Sequence, residues 1–329
     1  MKVFVTGGTG FLGAEVLRCL IAGGHAPRVM VRDGRAKLPP GAEGVVVRFD
    51  GGPALIEAIT GTQAVIHLAG KVSRDPADAS EMYAIHGEAT RRLLDASEAA
   101  AVRRFVLAST SGTIAVRRNA GPPATEDDQA PLEIIGRWPY YMSKHLQEQE
   151  VLRRDAAGRI EAVVLNPSLL LGPGDERLSS TGDVLKVLHR RVPALTEGTV
   201  AFVDVRDAAP AFVAALTQGG HGKRYLLNGC NLGTRSFIER ICRAGDVAMP
   251  NLMVPERWAT LGARVMEGLY QAFDREAPID PVSVEMGCHH WGCSSVRAVA
   301  ALGFEARDPQ ATIRDTIRDL ERRGLFRRS

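Results

Sequence analysis

The chain has few of the features that mark secreted, membrane or nucleic-acid-binding proteins. Its 329 residues include five cysteines, an odd and scattered set that favours a reducing cytoplasm over a disulfide framework. The formal net charge is +3, which is too small to indicate a nucleic-acid or membrane surface. No apolar stretch approaches the length of a transmembrane helix, and the first predicted strand begins at residue 2, which leaves no room for a signal or transit peptide. We therefore expect a cytoplasmic protein that binds neither membranes nor nucleic acids.

The cysteines also give little support to a metal centre. The run Cys288–Cys293 reads Cys-His-His-Trp-Gly-Cys and resembles a ligand cluster at first sight. Its spacing matches none of the usual zinc patterns, and no second ligand pair follows at a ribbon or finger distance. We expect a short strand or loop beside the final helices, with a functional metal as the alternative.

What the chain does contain is a regular alternation of strands and helices, with enough hydrophobic residues (45%) for a large core. Such alternation predicts an α/β fold, a Rossmann doubly wound parallel sheet with right-handed crossovers. The predicted strands are 2–6, 28–32, 44–48, 64–68, 104–109 and 160–166, and the predicted helices are 11–23, 53–60, 79–100 and 140–156.

Beyond residue 166 the alternation breaks down. Segment 200–229 returns to strand, helix and strand, whereas the last hundred residues are mostly helical, with an apolar stripe at 261–273. We predict a Rossmann domain made of 1–166 and 200–229. A smaller, mainly helical C-terminal substrate lobe would comprise 167–199 and 230–329. A substrate would then bind between them, at the carboxyl ends of the strands.

A glycine-rich turn joins the first predicted strand to the first helix, which is the context that a dinucleotide fingerprint needs. Gly7 would form the tight turn, Gly10 would allow close approach of the pyrophosphate, and Gly13 would pack helix on strand. The helix N-terminus offers unpaired N–H groups to the phosphates. A turn that binds nothing is the alternative. The other residues assigned to the cofactor here are Thr9, Phe11 and Leu12.

The end of the second predicted strand indicates which nicotinamide cofactor binds. Arg32 stands where NAD-specific proteins place a carboxylate, and arginine suits a 2′-phosphate. Asp33 could instead bind the ribose hydroxyls. A further alternative is that the basic loop is solvated and has no role in cofactor binding. We predict NADP(H), with NAD(H) as the second choice. Asp50 follows the third strand and would reach the adenine edge, or else cap the next helix.

Tyr140 and Lys144 are four residues apart and share one face if the run after Pro139 is helical. A free tyrosine titrates near ~10, so proton transfer near neutrality calls for a fall of about three units in its pKa, about 4 kcal/mol. Lys144 and an oxidised nicotinamide ring would supply that positive charge. The spacing alone is common, and it gains meaning from the glycine turn and from the hydroxyl-rich run Ser109–Ser111.

With these residues the chain resembles an extended short-chain dehydrogenase/reductase nearly from end to end. The segments that carry the resemblance are Thr6–Gly13, Val65–Gly70, Arg104–Thr113, Tyr140–Lys144 and Phe202–Ala208. Within the family it is most similar to the dihydroflavonol-4-reductase-like and 3β-hydroxysteroid dehydrogenase-like branch. The pointers to that branch are Arg32, the run Ser109–Thr113 and the ending 295–304.

The resemblance implies roles for these residues. Tyr140 would be the general acid in reduction and the general base in oxidation, and Lys144 would bind the nicotinamide ribose and lower the tyrosine's pKa. Thr110, with Ser111 in reserve, would donate a hydrogen bond to the substrate oxygen. Turn hydroxyls with no such role are the alternative. The remaining residues assigned to the cofactor are Leu68, Ala69, Gly70, Asn166, Pro167 and Ser168.

Two departures from the family pattern stand out. The family usually carries asparagine in an Asn-x-x-Gly-Thr helix motif, where it helps to hold a relay water. This chain has His86, which would either substitute for that asparagine or serve a structural role. The loop from Lys71 to Arg74 is also unusually basic, and it would meet either an anionic substrate group or solvent.

Three functions compete. The leading one is hydride transfer between NADP(H) and a carbonyl or secondary alcohol of a hydrophobic small-molecule substrate. The second is an NAD-dependent nucleotide-sugar epimerase or dehydratase, in which Arg177 and Arg235 would bind a diphosphate. The third, a redox sensor without chemistry, has no need of the Tyr140 and Lys144 pair. A homodimer through the helices near 83–100 and 140–156 is a family-based expectation.

Overall fold

The computed structural model describes residues 1–192, 194–255, 262 and 281–328. Its strands, in chain order, are β1 Lys2–Thr6, β2 Ala26–Val31, β3 Glu43–Val46, β4 Ala64–His67, β5 Arg104–Ala108, β6 Glu161–Pro167, β7 Leu169–Leu171, β8 Ala194–Leu195, β9 Thr199–Asp204, β10 Lys223–Leu227, β11 Cys230–Gly233 and β12 Leu252–Met253.

The helices are named in the same way, by their order among the described residues. They are α1 Phe11–Ala22, α2 Pro53–Ile59, α3 Ala79–Tyr83, α4 Ala89–Ala99, α5 Leu132–Ile135, α6 Pro139–Ala156, α7 Gly182–Leu188, α8 Val205–Ala214, α9 Thr234–Gly245, α10 Pro281–Gly287, α11 Val296–Leu302 and α12 Pro309–Arg322. A π-helical turn at Ala84–Glu88 links α3 to α4, and a 3₁₀ turn at Ser111–Thr113 follows β5.

Seven strands form one parallel sheet in the order β10-β6-β5-β4-β1-β2-β3. Its strands are buried on both faces, so they read as continuous apolar runs rather than as alternating ones. Val3 and Val5 face a core shared with α1 and α8, whereas Phe4 and Phe105 face a second core with α2, α4 and α6. The predicted doubly wound α/β fold is confirmed.

A smaller assembly holds the remaining elements. Its three-stranded sheet has the order β11-β9-β7, and β8 pairs with β12. Leu171, Phe202, Phe237 and Ile317 belong to a third core, which α7, α9 and α12 share with this sheet. Segment 200–229 contributes to both sheets, since β9 lies in the small one and β10 at the edge of the large one. Apart from residue 262, the predicted apolar stripe at 261–273 lies outside the described residues.

The carboxyl ends of β1, β4, β5 and β6 meet at one edge of the large sheet, because the strands are parallel and adjacent. The glycine turn, the loop after β4, the 3₁₀ turn after β5 and the N-terminal half of α6 therefore come together there. Among the described residues, no helix combines the length and the apolar character that crossing a membrane requires.

Candidate active site

The glycine turn after β1 leaves room for a closely bound ligand. Gly7 has a φ of +71°, and a Cβ on it would lie 2.5 Å from the backbone nitrogen of Ala69. A Cβ on Gly13 would lie 2.1 Å from the carbonyl oxygen of Gly7, so only glycine lets α1 pack onto the turn. A Cβ on Gly10 would lie 3.3 Å from the carbonyl oxygen of Gly7 and within 4 Å of no other atom beyond its chain neighbours, so that side of the turn is otherwise clear. The turn thus fits a pyrophosphate on steric grounds.

The start of α1 adds electrostatic suitability. Gly10 is the N-cap, no side chain caps the helix, and its first turn carries no acidic residue. The amides of Phe11 and Leu12 have no intrahelical acceptor at this position, and they combine with the helix dipole to favour an anion. Thr9 is exposed just before the cap.

Arg32 follows β2 directly and is exposed, with no hydrogen bond or ion pair to the rest of the described chain. Asp33 does have a partner: its Oδ1 accepts a hydrogen bond of 2.9 Å from the backbone N–H of Arg35. The carboxylate therefore closes its own turn, and the guanidinium of Arg32 remains available to an anionic group.

Asp50 lies in the loop that leads into α2. It is not the N-cap of that helix, because Gly52 occupies the cap position. Instead its Oδ1 accepts a hydrogen bond of 3.0 Å from the N–H of Gly52. The side chain is exposed and lies at the end of the loop after β3.

The loop after β4 runs beside the glycine turn. The N–H of Leu68 donates to the carbonyl oxygen of Thr6 at 3.1 Å, and the N–H of Ala69 donates to the Thr6 hydroxyl at 3.3 Å. A Cβ on Gly70 would lie 3.5 Å from the Lys144 Nζ. This loop therefore links the turn to Lys144.

Tyr140 is in the first turn of α6, where its hydroxyl lies near the Thr110 side chain. Burial raises the pKa of Tyr140 above its ordinary value of 10, the neighbouring Tyr141 raises it further, and the nearby Thr110 hydroxyl lowers it. The phenol is thus protonated at neutral pH in the structure as it stands. This is the state required of a proton donor, and it is opposite to the fall in pKa that proton acceptance near neutrality demands.

Lys144 is one turn further along α6 and is buried, with 6% of its surface exposed. Its Nζ donates to the carbonyl oxygen of Ala108 and to the Oε1 of Gln147, both at 2.9 Å. Burial lowers the pKa of Lys144 to about 8, and the carboxylate of Glu148 opposes this fall. Its charge is therefore held in place by two oxygen acceptors and one nearby carboxylate.

The two candidate hydroxyls after β5 have different surroundings. Thr110 accepts a 3.3 Å hydrogen bond from the N–H of Gly112 and contacts Tyr140. Ser111 is buried near the thiol of Cys293, whose pKa burial raises to about 12. Of the two, only Thr110 has its hydroxyl beside the phenol.

A cluster of aromatic rings packs next to Tyr140. The ring of Tyr141 is 5.0 Å from that of Tyr140 and 5.2 Å from that of Trp291, which stacks on Trp138 at 5.6 Å. A Cβ on Gly112 would lie 2.1 Å from the Tyr141 ring, so glycine at this position lets the ring pack over the end of β5. The arrangement gives the site one apolar wall.

His86 lies in the π-helical turn and is fully buried. Its Nε2 accepts a 3.2 Å hydrogen bond from the N–H of Lys71, and its Nδ1 lies 2.8 Å from the Ser143 Oγ, which itself donates to the carbonyl oxygen of Tyr140. Burial and Lys144 lower the pKa of His86 to about 2. Both ring nitrogens thus have protein partners, which favours the structural alternative.

Glu148 forms a second buried network beside this one. Its Oε1 accepts hydrogen bonds from the hydroxyl of Ser109, from the Thr113 hydroxyl at 2.8 Å, and from the Asn166 Nδ2 at 2.6 Å. Asn166 also donates to the carbonyl oxygen of Thr110 at 3.1 Å. The network therefore fixes the backbone of the turn that carries Thr110.

The residues after Asn166 make internal contacts as well. Pro167 is the last residue of β6 and is buried. The Ser168 hydroxyl lies 2.9 Å from the Asn228 Oδ1 and donates to it. In the structure, the side chains of Asn166 and Ser168 thus bond within the protein.

Sequence reasoning missed Gln147, Glu148 and His67. Tyr140, Lys144 and Glu148 repeat at intervals of four, so the extension of that spacing by one turn would have found Glu148. A polar residue on the buried face of a helix also predicts a functional or structural network, because buried polar groups need hydrogen-bond partners.

The basic loop after β4 is neutralised by acidic neighbours. Lys71 pairs with Asp78 at 2.6 Å and with Glu81. Arg74 pairs with both carboxylate oxygens of Asp183 on α7, at 2.8 Å for the Nη1 atom. The Arg74–Asp183 ion pair thus connects the loop to the small lobe, and acidic side chains neutralise the positive charges of Lys71 and Arg74.

The run Cys288–Cys293 forms turns and isolated β-bridges beside α10, as expected of a loop. His290 bridges to Arg117 and to Thr199, and the His289 Nδ1 lies 2.8 Å from the carbonyl oxygen of Glu285. Throughout the described ranges, no group of three or more His, Cys, Asp or Glu side chains is arranged to hold a metal ion.

The fold and the site together define a dinucleotide-binding α/β enzyme with a Tyr, Lys and Thr cluster at the carboxyl edge of its sheet. A model of the NAD dependent epimerase/dehydratase family matches residues 3–227. The chain belongs to that family and is an enzyme of the extended short-chain dehydrogenase/reductase type.

Several proteins resemble the chain over nearly its whole length. The putative dihydroflavonol 4-reductase of Synechocystis is 30% identical over 327 residues, with 96% of this chain and 92% of that protein covered. Sterol demethylase protein B of Methylococcus capsulatus is 28% identical over 336 residues, which cover 99% of this chain and all (100%) of that protein. The crystal structure of gox2253 has a TM-score of 0.85 at 28% identity and covers 99% of each chain.

Sugar-nucleotide epimerases share the architecture. The UDP-glucose 4-epimerase of Thermus thermophilus, solved in complex with NAD, has a TM-score of 0.74 at 21% identity, with 98% of this chain and 99% of that chain covered. At that identity the likeness concerns the fold alone.

Proposed function

We propose that the protein is an NADP(H)-dependent oxidoreductase that transfers a hydride between the nicotinamide and a carbonyl or secondary alcohol of a hydrophobic substrate. The observation that carries this proposal is the position of the Tyr140 phenol beside the Thr110 hydroxyl at the edge of the sheet, one helical turn from the buried Lys144. Two hydroxyls that meet there would bind one substrate oxygen.

The cofactor site fits a dinucleotide. The open face at Gly10 and the uncapped start of α1 would hold the pyrophosphate, and Lys144 would hold the ribose next to the nicotinamide. The bound nicotinamide would supply or accept the hydride. Arg32, exposed at the end of β2, supports the choice of NADP(H) over NAD(H), because its guanidinium suits a 2′-phosphate.

The proton chemistry belongs to Tyr140. In the direction of reduction its hydroxyl would donate a proton to the substrate oxygen while Thr110 donates a hydrogen bond to the same oxygen. A raised pKa keeps Tyr140 protonated for this step. In the direction of oxidation the phenol must first lose its proton, and the positive charges of Lys144 and of the oxidised nicotinamide ring would favour that loss.

An apolar substrate is supported by the wall of Tyr141 and Trp291 next to Tyr140 and by the neutralised loop after β4. The relatives named as reductases of dihydroflavonol and cinnamoyl-CoA, together with the sterol protein, agree with substrates of this kind. A nucleotide-sugar epimerase is the second candidate. It is favoured by the exposed side chains of Arg177 and Arg235, which would have to bind a diphosphate.

We also propose a homodimer in the cytoplasm. Exposed apolar side chains on the two predicted dimer helices support this assembly: 39% of Tyr83 and 45% of Leu146 is accessible in the single chain. A monomer in sedimentation equilibrium would contradict it.

The experiment has two parts. Purified protein is titrated with NADPH and NADH while any nucleotide released on denaturation is identified, and Tyr140→Phe is assayed against hydrophobic ketones. We expect dissociable, NADPH-selective binding, and a loss of turnover in the variant of at least about 100-fold with cofactor affinity nearly kept. Tightly retained NAD would favour the epimerase, and unchanged turnover in Tyr140→Phe would remove this residue from the mechanism.

A further inference from the structure

The ammonium of Lys144 is the first member of a chain of buried hydrogen bonds. Gln147 accepts from Lys144 through its Oε1 at 2.9 Å, and its Nε2 lies 2.7 Å from the Thr90 Oγ1 and 3.2 Å from the His67 Nε2. The His67 Nδ1 lies 2.7 Å from the Thr6 Oγ1. Gln147, Thr90, His67 and Thr6 are all 0% exposed, so no water competes for these bonds.

Chemistry fixes the direction of every bond in this chain. An ammonium can only donate, so the amide oxygen of Gln147 must face Lys144 and its NH₂ group must face Thr90 and His67. The His67 Nε2 must then accept, which leaves the ring proton on Nδ1 to be donated to Thr6. Burial lowers the pKa of His67 to about 3, so the ring is neutral, as this arrangement requires.

We propose that Gln147 is a positioning residue, which holds the Lys144 ammonium against the carbonyl oxygen of Ala108 and ties it through His67 to the end of β1. The inference rests on the proposed role of Lys144 in the reaction. His86 cannot take this part, because Lys71 and Ser143 already occupy its two nitrogens. The family's asparagine position therefore has a structural role here, and a glutamine one turn beyond Lys144 holds the lysine.

Few other groups influence the charge of Lys144. In the described part of the chain, the titratable groups that face it are His67 on β4, His86 in the π-helical turn, and Tyr140 and Glu148 on α6 itself. Both histidines are neutral, and Tyr140 is protonated. Glu148 is the remaining source of charge, so the loss of the oxygen acceptor or the addition of a negative charge at residue 147 would act on Lys144 directly.

The test measures the pKa of Lys144 directly in the cofactor-free protein. The chain has six lysines, so selective ¹³C labelling at lysine Cε gives few signals, and the one absent in Lys144→Met assigns residue 144. Gln147→Met removes an oxygen acceptor from the ammonium, and we expect the pKa of Lys144 to fall by about one unit. Gln147→Glu keeps an acceptor and adds a negative charge, and we expect a rise of at least about one unit.

Opposite shifts distinguish positioning from mere structural damage, which would move both variants in the same direction. Gln149→Met on the exposed side of α6 is the matched control and should leave the titration unchanged. If Gln147→Met fails to fold, the same test is provided by the rise in the pKa of Lys144 in Gln147→Glu and by a smaller fall in that pKa in Thr90→Val. Shifts of the same sign in the Met and Glu variants, or none, would overturn the proposal.

A second readout separates this inference from the proposed function. The pH at which NADPH binding weakens should move with the pKa of Lys144 in each variant. If the lysine signal shifts as expected while dinucleotide binding does not follow, Gln147 still positions Lys144, but Lys144 has no part in holding the cofactor. Neither measurement requires turnover.

Discussion

The two halves of the site are built in different ways. The cofactor half consists of backbone: the turn from Gly7 to Gly13 and the free amides of α1, where a missing side chain provides the fit. The reaction half consists of buried side chains on α6. Lys144 is held by the carbonyl oxygen of Ala108 at the end of β5 and by Gln147, and Glu148 accepts hydrogen bonds from the end of β5, the turn after it and β6. The first half is specified locally, and the second only by the complete fold.

This difference predicts two kinds of failure. A substitution in the cofactor half should act through steric overlap with backbone that cannot move aside. A substitution in the reaction half should act through buried polar groups that lose their partners. Positions in the cofactor half should therefore be sensitive to the size of a new side chain and insensitive to its polarity. Positions in the reaction half should be sensitive to polarity and less sensitive to size.

The largest effect is expected from Gly13→Val. Its Cβ would overlap the carbonyl oxygen of Gly7 at 2.1 Å, so α1 and the turn must separate. We expect a loss of at least about 4 kcal/mol in the free energy of unfolding, together with loss of dinucleotide binding, measured by urea denaturation and by titration. Gly34→Ala is the control, since no atom lies within 4 Å of a Cβ there. Wild-type stability in Gly13→Val would mean that the turn adapts to side chains.

Glu148→Leu should be next in size. The substitution keeps the volume approximately but leaves Ser109, Thr113 and Asn166 without the acceptor that they share. We expect a loss of about 3 kcal/mol in the free energy of unfolding, and a smaller loss for Glu148→Gln, which retains one oxygen. Gln149→Leu, on the exposed side of the same helix, should change stability by less than about 0.5 kcal/mol. Equal effects of Leu and Gln at residue 148 would argue against the network.

The same contrast explains how much the sequence could predict. The pattern of the sequence places the first six strands of the large sheet within two residues of their observed bounds, because strands buried on both faces are continuous apolar runs. The glycine turn is predictable because the local backbone alone needs Gly7 and Gly13. The sequence pattern groups β9 with β10, yet β9 pairs with β7 and β11, and that pairing is decided by contacts distant in the chain.

The partners of the reaction half could not be read in this way. Gln147 and His67 are 80 positions apart in sequence, and they meet because β4 lies under α6. Nothing in the local pattern around His86 shows that both of its nitrogens are occupied. Spacing along one helix predicts which residues share a face, whereas the identity of the facing group depends on the assembled sheet.

His86→Asn tests the structural role of that histidine through acid stability. Burial lowers the pKa of His86 from 6.5 in an exposed ring to about 2, so its contribution is fully present above pH 6.5 and is lost as the pH falls towards 2. At pH 4.5 the loss from this one ring is on the order of 3 kcal/mol.

We therefore expect stability to fall less steeply between pH 6.5 and 4.5 in His86→Asn than in the unmodified protein, as followed by urea denaturation at each pH. Replacement of the exposed His189 by asparagine should leave the slope unchanged. An unaltered slope in His86→Asn would show that the ring does not stay neutral.

The smallest effect concerns Arg32, the side chain that is proposed to select NADP(H) over NAD(H). Arg32→Ala should weaken NADPH binding about tenfold, or about 1.4 kcal/mol, and NADH binding hardly at all, because only NADPH carries the 2′-phosphate. Titration of both dinucleotides measures the difference, with Arg243→Ala, an exposed arginine on α9, as the control. The NADPH effect should shrink at high salt, since the guanidinium is exposed. Equal losses for the two dinucleotides would leave the cofactor half with no selective side chain, and the preference for NADP(H) would have no basis.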